Sequence, residues 1–96
     1  MKRENAFQAG LIDELKETFS GCIVLKNDSS YMQGIPDLSI FYRDKWAMLE
    51  CKKNAGATHQ PNQDHYISEA NSMSYAAFIY PENKNKVMEE LKQHFA

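Results

Sequence analysis

The chain has 96 residues, 43% hydrophobic and 25% charged, with a formal net charge of -2 and a sequence pI near 5.9. This is the composition of a single soluble domain. Its mild acidity excludes a histone-like protein that holds nucleic acid through bulk positive charge, though not a local basic groove.

Phe7, Leu11, Ile12, Leu15 and Phe19 recur every three to four residues with Glu14, Lys16 and Glu17 opposite them, which predicts an amphipathic first helix. Gly21 stands where a left-handed cap is wanted. Cys22 to Leu25 reads as a short strand, and Asn27-Asp28-Ser29-Ser30 as a turn-forming stretch. Leu38 to Tyr42 and Trp46 to Lys52 read as a hairpin around Arg43-Asp44-Lys45. After the loop Asn54 to Thr58, Pro61 suits the first turn of a second helix with Tyr66, Ala70 and Met73 inward. Tyr75 to Tyr80 is a fourth strand, Pro81-Glu82-Asn83 breaks it, and Val87, Leu91 and Phe95 mark a last helix. With no repeat or linker, the order α-β-β-β-α-β-α predicts one α/β domain over 1–96, a central mixed sheet flanked by helices.

The longest apolar runs, Cys22 to Leu25 and Ala76 to Ile79, fall far short of the ~20 residues that span a bilayer. The first residues, Met1-Lys2-Arg3-Glu4-Asn5, lack the apolar stretch of a secretory leader, and a cytosolic protein without membrane contact is expected. Cys22 and Cys51 show no CxxC spacing and sit in apolar segments, so both are expected as reduced, buried thiols.

Side chains alternate along a strand, so Glu50 and Lys52 share a face and Cys51 points into the core. Opposed residues of an antiparallel hairpin have a constant index sum. With Asp44-Lys45 as the loop that sum is 89, which sets Asp37 opposite Lys52 and Ser39 opposite Glu50, all on one face. A sum of 88 sends Asp37 to the other face, so the expectation is an odd register, or a bulge that restores it. Two close carboxylates need an offsetting cation or proton. Mg²⁺ suits one or two carboxylates together with a phosphate oxygen, and the Cys51 carbonyl is a further oxygen donor. An ammonium beside them steadies charge growing on a phosphorus centre. The plainer reading is a surface ion-pair cluster worth under about 1 kcal/mol.

Pro36-Asp37 followed by Glu50-Cys51-Lys52 on the next strand resembles the PD-(D/E)XK nuclease signature, and the element order resembles that superfamily's restriction-endonuclease-like core. Among its members the chain is most similar to the small stand-alone VRR-NUC nucleases, often phage encoded and related to Holliday junction resolvases. The resemblance runs from Glu4 to the Pro81-Glu82-Asn83 segment. It implies that Asp37 and Glu50 bind Mg²⁺ or Mn²⁺, that Lys52 assists the attacking water, that Glu4 closes the metal site, and that Gln63 lies beside the lysine. A first-turn acid such as Glu4 is also favoured by the helix dipole, and Gln63 also suits a solvated helix position.

Lys26, Tyr31, Arg43 and Lys53 are candidate backbone-positioning donors, and Gly34 either lets a sugar-phosphate backbone approach or serves a turn. His59, Asp64 and His65 fit no common zinc spacing. Trp46 is read as core. The expected activity is metal-dependent cleavage of DNA, structure-selective in the manner of a junction resolvase and carried out by a homodimer. The competing readings are a non-catalytic nucleic-acid-binding or protein-interaction module on the same scaffold, and a purely structural α/β protein.

Overall fold

The computed structural model describes residues 3–96, with side chains from Asn5 onward. The i, i+4 row Leu11, Leu15 and Phe19 is buried, its first two members on helix α1 (Arg3–Thr18) and Phe19 just past its end. Gly21, just beyond it, takes a φ of 90°, a conformation that penalises any residue with a Cβ. The chain continues through β1 (Ile23–Lys26), β2 (Leu38–Tyr42), β3 (Lys45–Cys51), α2 (Gln63–Met73), β4 (Tyr75–Ile79) and α3 (Lys84–Phe95). The order is the α-β-β-β-α-β-α read from the sequence.

The strands make one open mixed sheet in the order β1-β2-β3-β4. The first three form an antiparallel meander, and β4 joins β3 in parallel after the crossover through α2. On one face Leu38, Ile40, Ala47, Leu49, Cys51 and Ile79 pack with Leu11 and Leu15 of α1, with Phe19 beyond it, and with Val87, Leu91 and Phe95 of α3. The other face carries Ser39, Phe41, Met48 and Glu50. There α2 covers β3 and β4, where Ala70 and Ala76 are buried. Among the described residues no helix lies over β1 and β2 on that side, and Ile23, Leu25 and Phe41 are exposed at 58, 48 and 43%.

At the hairpin end of the sheet the rings of Phe19, Tyr42 and Phe95 meet pairwise at 5.1 to 5.7 Å, edge-on or tilted as aromatic quadrupoles prefer. At the α2–β4 corner the Ser74 hydroxyl bonds to the Trp46 carbonyl, and His94 Nε2 lies 3.0 Å from both groups. Among the described residues no helix is long and apolar enough to cross a membrane.

Several sequence expectations shift here. The β2–β3 register has Leu38 opposite Leu49 and Tyr42 opposite Lys45, an index sum of 87 instead of 89. Arg43-Asp44 is therefore the loop, Ser39 faces Met48, and Lys45 belongs to β3. Arg43 supplies the positive φ, 59°, that a two-residue hairpin turn needs at its first position. Pro61 lies before α2, because Asn62 at the N-cap is left-handed with φ 74°. Met73 is 72% exposed, since the inward i+4 row runs Tyr66, Ala70, Ser74. Cys51 is buried, and Cys22 is half-buried with its thiol pushed up in pKa by that burial.

Candidate active site

Continuing the β2–β3 ladder one step past Leu38 and Leu49 sets Asp37 level with Glu50, on one face as the odd register requires. The hydrogen bonds agree. The Asp37 N–H donates to Glu50 Oε1 at 3.2 Å, and the Cys51 N–H donates to Asp37 Oδ2 at 2.9 Å. A strand residue's N–H and C=O point to the same side, so the Cys51 carbonyl is also on the Asp37 side. Lys52 leaves the ladder with its N–H bonded to the Ile79 carbonyl at 2.9 Å, which holds the β3 end against β4.

Glu50 and Lys52 are buried, at 3 and 6% exposure, and their charged groups are 3.9 Å apart. Burying charge is costly unless every group is also hydrogen bonded. Gln63, the first residue of α2, supplies those bonds. Its Oε1 accepts from Lys52 Nζ at 2.6 Å and from the Gln60 N–H at 2.9 Å, while its Nε2 donates to Glu50 Oε2 at 3.0 Å. The Thr58 carbonyl accepts a further bond from Lys52 Nζ at 3.1 Å. Among the described residues no buried side-chain nitrogen or oxygen lacks a partner.

These groups line an open cavity of about 680 Å³ together with Ser29, Gly34, Ile35, Lys53, Ala57 and Gln60. Gly34 belongs to the wall, but its missing side chain answers to the protein itself: with φ 90°, a Cβ there would sit 2.6 Å from the Asn62 Cβ. The β1–β2 loop thereby closes onto the start of α2. Asn27 pins the other side of that loop, its Nδ2 donating to the Pro36 carbonyl at 2.8 Å and to Ser39 Oγ at 2.9 Å, and its N–H to the Asp37 carbonyl at 2.7 Å.

The structure thus brings together Asp37, Glu50, Cys51, Lys52 and Gln63, with exposed Lys53 on the rim. Lys26, exposed at the end of β1, pairs with Leu38 and so is on the other sheet face. Tyr31 stands on the β1–β2 loop, outside the lining of this cavity. Arg43 is not brought in. It sits at the hairpin tip over the Tyr42 ring at 4.9 Å, about 20 Å along the strand from Asp37 at ~3.3 Å per residue. Glu4 lies in the first turn of α1, and its side chain is outside the described residues. His59 pairs with Asp64 at 2.8 Å and stacks on Phe78 at 4.0 Å. Two contributors escaped the sequence reading: Thr58 acts through its backbone, which carries no residue-type signal, and Asn27 reads as an ordinary turn former.

Among the described residues no group of three or more His, Cys, Asp and Glu side chains is placed to hold a metal ion. Two facing carboxylates beside a strand carbonyl do fit a hard cation that keeps most of its water, such as Mg²⁺ or Mn²⁺. A carboxylate offers about four lone-pair directions, so accepting an N–H bond and ligating a cation are compatible. No protein-family model, no curated protein and no solved structure matches the chain.

Proposed function

We propose that the chain is a metal-dependent endonuclease of PD-(D/E)XK type, similar to the VRR-NUC nucleases, that hydrolyses DNA phosphodiester bonds. The observation that carries this reading is the level placement of Asp37 and Glu50 on adjacent strands, with the Lys52 ammonium 3.9 Å from Glu50, inside an open cavity. Asp37, Glu50 and the Cys51 carbonyl would hold Mg²⁺ or Mn²⁺, with Glu4 as an additional carboxylate. Such an ion brings the pKa of a bound water toward ~7 and polarises a phosphate oxygen.

Lys52, anchored by Gln63 and Thr58, offsets negative charge that grows on the phosphate oxygens. A donor fixed before the reaction costs no reorganisation when the charge appears. Lys53 on the cavity rim positions the sugar-phosphate backbone, and Lys26 adds positive charge at the same end of the sheet. The restriction-endonuclease-like character of the fold, a cytosolic setting and action on branched DNA belong to the same proposal. So does the homodimer: the exposed strip Ile23, Leu25 and Phe41 supplies an apolar surface for a two-fold contact, which gives two sites for two strands.

The test incubates the protein with labelled four-way junction, flap, linear duplex and single-stranded DNA, with Mg²⁺ or with chelator. Cleavage that needs the metal and disappears in Lys52→Ala is expected. Cleavage retained by that folded variant overturns the assignment of the site.

A further inference from the structure

The sheet face that carries Asp37 and Glu50 holds a second cavity, of about 460 Å³, lined by Asn27, Asp28, Tyr31, Met32, Ile35 and Met48. Its volume is in the range of small-ligand pockets. Ile35 is a wall common to both cavities, and Met48 precedes Glu50 by two residues, so it shares that face. The β1–β2 loop stands between the two spaces.

The chemistry of the two differs. The first has Lys52 and Lys53 around its carboxylates, whereas among the described residues neither Lys nor Arg lines the second. Asp28 on its rim is ionised at neutral pH, its carboxyl held below the usual range by the Ser30 hydroxyl and N–H. A phosphate is repelled from such a space. A neutral planar group with apolar faces and donor amino groups is suited to it, since Met32, Ile35 and Met48 are apolar and a carboxylate accepts from a base's exocyclic amine.

Tyr31 completes the pattern. It is 86% exposed, yet its backbone is fixed: Ser30 donates to Asp28 Oδ1 from both its N–H and its hydroxyl, at 2.9 and 2.6 Å, and the Tyr31 N–H donates to the Asp28 carbonyl at 3.2 Å. An aromatic ring held in water on a pinned turn loses little freedom when something stacks on it. Nucleobases stack on such rings irrespective of sequence.

We propose that this second cavity is a subsite for an unstacked nucleobase, with Tyr31 as its stacking platform, on the strand whose phosphate occupies the Asp37–Glu50–Lys52 site. The inference rests on the nuclease reading and narrows it. A base must leave the helical stack to enter, and that cost is least for a nucleotide already unpaired. Flaps, single strands and branch points are thereby favoured over continuous duplex.

The experiment measures binding of the whole protein to oligonucleotides carrying 2-aminopurine, single-stranded or in duplex, with Ca²⁺ in place of Mg²⁺, alongside cleavage of the same DNA with Mg²⁺. The wild-type protein is expected to quench 2-aminopurine in single-stranded DNA. Tyr31→Ala loses that quenching and about tenfold or more in single-strand affinity, as loss of one base stack implies. Tyr31→Phe keeps both, and duplex affinity moves less than twofold. The subsite is overturned if Tyr31→Ala binds unpaired DNA as tightly as wild type, if it loses duplex affinity equally, or if the wild type binds no DNA. It is also overturned if Tyr31→Ala alters only the protein's own sedimentation mass, which marks the face as a contact with a second copy. Quenching without any cleavage by wild type overturns the nuclease reading and leaves the subsite standing; cleavage unaffected by Tyr31 does the reverse.

Discussion

Lys52 Nζ lies 2.6 Å from Gln63 Oε1 but 3.9 Å from Glu50 Oε2, so the nearest partner of the buried ammonium is a neutral amide. The same amide donates to Glu50. Gln63 therefore spaces a cation from an anion that would otherwise collapse onto each other, and leaves the ammonium directed by two oxygen acceptors. Gln63→Ala is expected to lower the single-turnover cleavage rate by about 10- to 100-fold, some 1.4 to 3 kcal/mol of barrier, with a far-ultraviolet circular dichroism spectrum like wild type. A variant as fast as wild type removes Gln63 from the machinery.

Placing Asp37 level with Glu50 sets like charges close together, a cost that a cation removes. Mn²⁺ at a hundred times its dissociation constant is expected to stabilise the wild-type fold by about 2.7 kcal/mol, roughly 10 to 20 °C in melting temperature for a domain of this size. Asp37→Asn keeps an acceptor for the Cys51 N–H. It should show no melting shift with Mn²⁺. A metal response unchanged in that variant places the cation elsewhere.

Gly34 combines a φ of 90° with a Cβ position 2.6 Å from the Asn62 Cβ. Gly34→Ala should cost about 2 to 4 kcal/mol in urea titrations, from the left-handed backbone and the overpacking together. Adding Asn62→Gly removes one of the clashing atoms and suits the positive φ of that residue, so roughly half the loss should return. A double variant no better than Gly34→Ala would locate the strain elsewhere.

Tyr75 donates its hydroxyl to Glu90 Oε1 at 2.6 Å. Burial, that hydrogen bond and the Glu90 charge all raise the phenol above its ordinary value of 10.0. A folded pKa above the unfolded one means that the contribution is complete below about pH 10 and is lost as the pH rises beyond it. Wild type should thus lose stability between pH 10 and 12 more steeply than Tyr75→Phe, as read by denaturant midpoints. Parallel curves for the two proteins would contradict this.

The exposed pair Ile23 and Phe41 are cross-strand neighbours. If the strip they form with Leu25 is the two-fold contact, Phe41→Glu should give an 11.1 kDa species by analytical ultracentrifugation, where wild type sediments at twice that mass. The same variant should still nick single-stranded DNA while losing paired cuts in a junction. A monomeric wild type would end the dimer proposal.

The local structure was legible because periodicity and turn chemistry agree in this chain: the α1, α3 and hairpin patterns each match one period with no rival. The parity of the register was legible because only an odd sum brings Asp37 and Glu50 to one face. Its value was not, because Arg43 at positive φ is a turn choice that residue preference does not announce, and Lys45 has no feature that separates a loop from an edge of a strand. Lys52 and Gln63 were nameable as types at a spacing. Their mutual bonds depend on how far the 52–62 loop carries α2 back over the sheet, and that distance is set by packing such as Gly34 against Asn62.

The hairpin tip Arg43-Asp44, remote from the chemistry, also acts as a counter for it. A two-residue connection is already the shortest in common use, so an inserted residue can bulge outward as a longer loop and leave the strands where they are. A deleted residue has no such slack and must drag one strand past the other by a single step, turning Glu50 and Lys52 toward the helices and Cys51 toward the cavity. Length variation at this tip should therefore be one-sided: additions tolerated, losses disruptive to the Asp37–Glu50 pair, at a point about 20 Å away along the strand.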